Sequence, residues 1–271
     1  MQADNDDNTT PEQPPTASRA VRRRSVPRLV TTASLTSHVH VLAGPGGRPR
    51  PAYVLLPGIG IPHHHYTNLQ ALLSEHANCL TIDLPGFGQA PAPEHQLNAA
   101  QYASHAAAVL AKMGVNSAIV VGHSRGGAEI AAELAAQKPD LITHLVLLGP
   151  VGEDERPPTF RQITALGLRA LRKDLPKAPG QSGRAEHLMR RYRSTSPLAM
   201  PYDLQSRLAL VNQPVLVIRG TREITTPRTW CQKLIATAPN GRLLELPGAG
   251  HLTRTGAAGA AVGTRAFSTS N

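Results

Sequence analysis

From residue 39 onward, short and almost wholly apolar runs alternate with longer stretches whose apolar residues recur at helical spacing. Residues 39–43 and 52–56, separated by Gly44-Pro45-Gly46-Gly47, read as two strands joined by a turn, the second apolar enough to lie in the centre of a sheet. A helix is predicted over residues 66–75, a strand over 79–83, a helix over 98–113 and a strand over 117–121. A helix over 124–137 and a strand over 144–148 follow, and after an interruption a strand over 215–218, a helix over 229–238 and a strand over 242–246. Buried strands separated by helices of ten to fifteen residues are the mark of a parallel sheet covered on both faces. The expected fold class is therefore α/β, with a mostly parallel central sheet flanked by helices.

Three segments break the pattern. Residues 1–30 are rich in Asp, Asn, Thr, Pro and Arg and lack periodicity, so they read as a disordered basic tail that cannot offset its ordering entropy. Residues 152–212 are Arg-rich and Pro-punctuated, with helical spacing at Ile163, Leu166 and Ala170, and read as a helical lid over the carboxyl ends of the strands. Residues 253–271 turn to Gly, Ala and Thr with little patterning and read as a poorly structured C-terminal tail. The core is thus expected in 31–151 and 213–252.

Composition narrows the function classes. The net charge of +10 raises nucleic acid as a partner, but the basic residues form no stripe, and three Phe, five Tyr and one Trp leave few platforms for stacking bases. No nucleic-acid partner is expected. The apolar runs, such as 145–148 and 215–218, are strand-length and fall far short of the ~20 residues of a membrane span, and no apolar stretch follows the arginines of residues 19–24 as a secretory signal requires. Cys79 and Cys231 lie far apart in no ligand spacing, which suits a reducing cytoplasm. A homo-oligomer is compatible with all of this.

The chemistry centres on Gly122-His123-Ser124-Arg125-Gly126, a Gly-x-Ser-x-Gly between an apolar strand and an Ala-rich helix. A nucleophile on so sharp a strand-to-helix turn needs small neighbours two residues away on each side, which Gly122 and Gly126 supply, and the helix N-terminus favours negative charge near its hydroxyl. In a triad of this kind the chain order is Ser, acid, His. His251, in the glycine-rich loop after the last strand, is the candidate base; eleven of the twelve histidines precede that strand. Glu223, after the strand at 215–218, is the candidate acid, with Asp154 as its rival. The Pro57-Gly58-Ile59-Gly60 turn ends the first central strand, so the Ile59 and Arg125 backbone N–H groups are expected to form an oxyanion hole worth about 3 kcal/mol per donor in the transition state. His63-His64-His65 invites a metal reading, but three successive side chains cannot converge on one ion, and no metal is assigned. These histidines are expected at the pocket mouth.

Together with Asp83-Leu84-Pro85-Gly86-Phe87-Gly88 and Pro247-Gly248-Ala249-Gly250-His251, these motifs resemble the α/β-hydrolase superfamily, in particular its bacterial lid-bearing esterase, C-C hydrolase and haloperoxidase-like branch, over roughly residues 38–252. The resemblance implies a Ser-acid-His triad, no cofactor, and a structural role for the Asp83 stretch. This chain departs from the pattern in three places: Pro57 stands where histidine is usual, Glu223 where aspartate is commoner, and the helix that closes the fold after the catalytic histidine is expected to be absent or degraded. The implied activity is a serine hydrolase acting on a small-molecule carboxylic ester or related acyl substrate. An acyltransferase with the same triad and a catalytically impaired binding protein are the alternatives. The excess of Arg and Lys in 152–212 reads either as a solvated lid surface or as a preference for an anionic group.

Overall fold

The computed structural model describes residues 25, 27–46, 50–151, 202–251 and 256–269. Among them eight strands, β1 (Pro27–Thr32), β2 (Leu35–Leu42), β3 (Ala52–Leu56), β4 (Cys79–Asp83), β5 (Ala118–His123), β6 (Ile142–Leu148), β7 (Val215–Gly220) and β8 (Gly241–Leu246), form one sheet in the order β1-β2-β4-β3-β5-β6-β7-β8. The β1–β2 and β2–β4 pairs are antiparallel and all others parallel. Every residue of β3, β4, β5 and β7 is buried, the physical reason these segments carry continuous apolar runs.

Helices cover both faces. On one lie α2 (Ala99–Lys112), α3 (Ser124–Gln137), the short α4 (Leu204–Leu208) and α5 (Arg228–Thr237), packed on Val54, Leu56, Val120, Leu145, Leu147 and Val217. On the other lie α1 (Thr67–Ser74) and α6 (Ala257–Ser268), over Tyr53, Leu55, Ile119, Val121, Val146 and Ile218. The alternation of Tyr53 and Leu55 with Val54 and Leu56 between the two clusters is the period-2 consequence of a strand buried on both sides. The start of α2 is set by Asn98, which accepts from the Gln101 N–H while the Gln101 side chain accepts from the Asn98 N–H, a reciprocal capping box.

The structure corrects four expectations. First, β1 begins inside the stretch read as a disordered tail and pairs with β2 along its whole length, through a two-residue turn at Ala33 and Ser34 with φ of 44° and 68°. Neither residue is the Gly or Asn that normally announces such a turn, so the hairpin left little trace in the sequence. Second, β2 and β3 are not paired; β2 joins β4, and β3 lies between β4 and β5. Third, residues 202–212 belong in part to the core, because Leu204, Leu208 and Val211 are buried in the main cluster and Tyr202 hydrogen-bonds the buried Glu133 at 2.7 Å. Residues 152–201, which include most of the expected lid and Asp154, lie outside the described residues.

Fourth, a closing helix is present. In α6, Ala257, Ala260, Ala261, Thr264 and Phe267 form one buried face at helical spacing. The face is built from small residues, so it lacks the bulky stripe by which amphipathic helices are read, and it allows close approach to the sheet: a Cβ on Gly263 would lie 2.3 Å from Leu244 Cδ2.

The register brings the carboxyl ends of the parallel strands level. Leu56 pairs with Gly122, His123 with Leu148, Leu148 with Ile218, and Gly220 with Leu246. The segments that follow β3, β5, β6, β7 and β8 therefore emerge along one edge, the usual place for a site in such a sheet.

The docking of α6 is testable in urea denaturation. Phe267→Ala, which removes a buried ring, is expected to lower stability by about 3 kcal/mol, and Val262→Ala, on the exposed face, by less than about 0.5 kcal/mol. Equal effects would contradict the packing.

Candidate active site

At the end of β5 the chain turns sharply into α3, and Ser124 takes φ of 54°, a region most side chains avoid. The close approach is made by glycines: a Cβ on Gly122 would lie 2.3 Å from the Gly127 carbonyl oxygen, and one on Gly127 2.3 Å from that of Leu56. Gly127 thus shares the spacing role expected of Gly126. Gly126 itself is required for a different reason, its φ of 84°.

The Ser124 hydroxyl lies 2.9 Å from His251 Nε2, across 127 residues of sequence. His251 Nδ1 lies 2.5 Å from Glu223 Oε2. With Nδ1–H donating to the carboxylate, Nε2 is left as the acceptor for the serine proton. The other Glu223 oxygen accepts from the Thr225 N–H at 2.8 Å and from its hydroxyl at 2.7 Å. Burial alone pushes the Glu223 carboxyl up; the hydrogen bond and charge of His251, with the two Thr225 bonds, outweigh it and hold the group at about 2. Glu223 is therefore ionised beside the imidazole.

Two neighbours not foreseen from sequence hold this pair. Gly149, at φ 51°, lets the chain after β6 pass close under the histidine, since a Cβ there would lie 3.3 Å from His251 Nδ1. Arg219, buried at the end of β7, donates to the Thr226 carbonyl at 3.0 Å and pairs with Glu245, bracing the loop that carries Glu223. Backbone bonds from Thr221 N–H to Leu246 and from Arg222 N–H to Ala249 tie the acid loop to the histidine loop. A glycine after a strand and a basic residue inside one were the signals available.

Tyr66 was also missed, because it reads as one residue of an amphipathic helix. Its buried hydroxyl accepts from the Gly58 N–H at 3.2 Å and is hydrogen-bonded to His123 Nδ1 at 2.7 Å, with the direction set by the tautomer of His123. Burial, then the nearby charges of His251 and His65, hold His123 well below the usual imidazole range, so it is neutral and can accept.

One of the two expected oxyanion donors is engaged within the protein. The Ile59 N–H is not open to a substrate oxygen: it donates to the Arg125 carbonyl at 3.0 Å. The Arg125 side chain turns to Glu129 one turn along α3, at 3.5 Å.

Of the three consecutive histidines, His63 reaches Asp83, donating its backbone N–H to Oδ1 at 3.2 Å and lying 3.2 Å from Oδ2 through Nδ1. His40 comes within 3.8 Å of the same carboxylate. The two rings stack at 3.4 Å with 13° between planes, so their in-plane lone pairs run side by side and cannot meet at one ion. Burial would push the Asp83 carboxyl up, but the hydrogen bonding of His63 and the nearby charges of His63 and His40 hold it at about 2. The cluster is a brace that fastens the segment after β3 to the turn after β4, where a Cβ on Gly88 would strike the Asp83 carboxylate.

An α/β sheet with a serine elbow at its carboxyl edge and a histidine and a carboxylate on the later loops defines a class of protein. The family model for the alpha/beta hydrolase family matches residues 53–262, and the chain belongs to that family. An uncharacterized Mycobacterium tuberculosis protein is 32% identical over 111 residues, 41% of this chain and 31% of the relative. A haloalkane dehalogenase of Bradyrhizobium diazoefficiens is 31% identical over 103 residues, 38% of this chain and 33% of the relative. The chain thus spans about a third of the length of these curated relatives. Among solved structures, a serine hydrolase involved in carbazole degradation, the CarC enzyme, superposes with a TM-score of 0.71 at 21% identity, covering 90% of this chain and 98% of that one. Among the described residues no helix is long and apolar enough to cross a membrane.

Glu223 and Asp83 sit below the ordinary carboxylate range in the folded chain. Each therefore stabilises the fold above its unfolded pKa, and that contribution is lost as pH falls from about 5 to about 2. Melting temperature measured against pH is expected to drop steeply through this window, and less steeply in Glu223→Gln. Identical slopes would contradict the assignment.

Proposed function

We propose that this chain is a serine hydrolase that cleaves a small-molecule carboxylic ester or related acyl bond, with Ser124 as nucleophile, His251 as general base and Glu223 as the acid that orients it. The single observation that carries this reading is the unbroken hydrogen-bond chain from the Ser124 hydroxyl through His251 to Glu223. Family membership and a superposable serine hydrolase support it.

In the mechanism, His251 Nε2 takes the Ser124 proton as the oxygen attacks the acyl carbon, and the imidazolium is stabilised by the ionised Glu223. Collapse of the tetrahedral intermediate expels the alcohol, which receives the proton from His251. Water, deprotonated by the same imidazole, then releases the acid and restores Ser124. The oxyanion is assigned to the Ile59 and Arg125 backbone amides; the first of these is released only when its bond to the Arg125 carbonyl breaks. No step calls for a cofactor. The alternative of a binding protein without turnover is favoured by that same closed contact.

Labelling with a fluorophosphonate tests the reading. Wild type is expected to form a stable adduct and Ser124→Ala none, while Glu223→Gln is expected to lower kcat on nitrophenyl esters by about 10³- to 10⁴-fold with the fold intact. Folded wild-type protein that neither labels nor turns over any ester in a series of chain lengths contradicts it.

A further inference from the structure

The start of α3 is not helical. Arg125 has φ −69° and ψ 141°, and Gly126 has φ 84° and ψ −63°. The second pair lies in the positive-φ γ-turn region, which is rare and strained. Between these two residues sits one peptide plane, and its carbonyl oxygen is the acceptor of the Ile59 N–H at 3.0 Å. The same oxygen would lie 3.3 Å from a Cβ on Gly58, whose other neighbours would be Ser124 Cβ and the His123 carbonyl at 3.0 Å. It therefore lies against the Gly58-Ile59 turn, on the side of Gly58 where Ser124 Cβ also lies.

We propose that the Arg125–Gly126 peptide is a latch over the oxyanion site, closed in this structure and opened by one rotation of its plane when a substrate carbonyl oxygen takes negative charge beside Ser124. The inference rests on the hydrolase reading of the site. Turning this plane by about 180° changes only ψ of Arg125 and φ of Gly126 and carries both into the α region, where the outer dihedrals of the pair already lie. The move extends α3 to its natural start, withdraws the Arg125 carbonyl, frees the Ile59 N–H and turns the Gly126 N–H toward the vacated space.

Both positions have a reason to be populated. In the closed one the Arg125 carbonyl satisfies the Ile59 backbone donor, which would otherwise lack that partner. In the open one an oxyanion competes for that donor, is repelled by the carbonyl dipole, and gains the field of the lengthened helix. The other wall of the site does not yield as easily, because the Tyr66 hydroxyl holds the Gly58 N–H and is itself bonded to His123. Gly126 is the residue that makes the closed position accessible: any side chain there meets the positive φ, and its Cβ would lie 2.7 Å from Ile59 Cγ1.

The test is a pair of crystal structures, of the free protein and of its fluorophosphonate adduct, together with labelling rates for wild type and Gly126→Ala. The proposal expects the Arg125 carbonyl on the Ile59 N–H in the free protein and turned away in the adduct. Gly126→Ala, which penalises the closed position, is expected to label about tenfold faster; if that variant does not fold, the two wild-type structures decide alone. A helical Arg125–Gly126 peptide in the free protein, or an adduct in which the carbonyl still holds Ile59, overturns the latch and leaves the hydrolase reading standing. A folded Gly126→Ala that labels no faster than wild type also overturns it. Absence of any adduct in wild type and Gly126→Ala alike removes the hydrolase reading and the latch with it.

Discussion

Ser124 is held at φ 54°, where a non-glycine residue stores of order 1–3 kcal/mol of backbone strain, and the rest of the site is arranged around keeping it there. The turn cannot relax toward the sheet because Gly122 already touches the backbone of Gly127, nor sideways because Gly127 abuts the Leu56 carbonyl and Gly58 the Ser124 Cβ. A Cβ on Gly122 or Gly127 would lie 2.3 Å from backbone oxygen, a distance no side chain could share, and one on Gly58 would crowd Ser124 Cβ at 3.0 Å. Three glycines, one on a strand, one in the turn after β3 and one on a helix, thus over-determine one serine, and its hydroxyl is pushed out at the carboxyl edge of the sheet.

What meets that hydroxyl comes from far along the chain, and level strand ends make the meeting feasible. Because Gly220 pairs with Leu246 and Leu148 with Ile218, the loops that carry Glu223 and His251 leave the sheet at the same height as the elbow. Their mutual orientation is then fixed locally, by Thr225 on the outer carboxylate oxygen, by Arg219 through Thr226 and Glu245, and by the absence of a side chain at Gly149. A buried carboxylate with all its bonds made stays ionised, and an ionised carboxylate keeps the imidazole in the tautomer that can accept a proton from Ser124. The closed Arg125 carbonyl is out of step with this preorganisation, because it occupies the Ile59 N–H that an oxyanion would use.

Much of this was legible in the residues alone. Buried parallel strands announce themselves as apolar runs, so β3 to β7 were readable, as was the partly buried, leucine-rich β8, and the Gly-x-Ser-x-Gly between a strand and a helix pointed to the residues the fold brings together with His251 and Glu223. What escaped was structure made without the usual signals. The β1–β2 hairpin turns on Ala and Ser instead of Gly or Asn, and α6 packs through alanines and glycines that form no conspicuous stripe. Tyr66 looked like one more core aromatic, because a hydroxyl that bridges two backbone-bearing loops has no local pattern. The orientation of a single peptide plane, which decides whether Ile59 is an available donor, is equally invisible in sequence, since Arg-Gly is compatible with both a helical and a turned backbone.

The central claim is that Ser124 carries the acyl group between two half-reactions. Mixing the protein with a slowly hydrolysed nitrophenyl ester, quenching in acid within the first turnover, and mapping the proteolytic peptides by mass measures this directly. The account predicts a burst of nitrophenolate close to one equivalent and an acyl group on the peptide ending at Arg125, localised to Ser124. A protein that releases nitrophenolate with no burst and no acyl peptide, or with the acyl group on another residue, would contradict it.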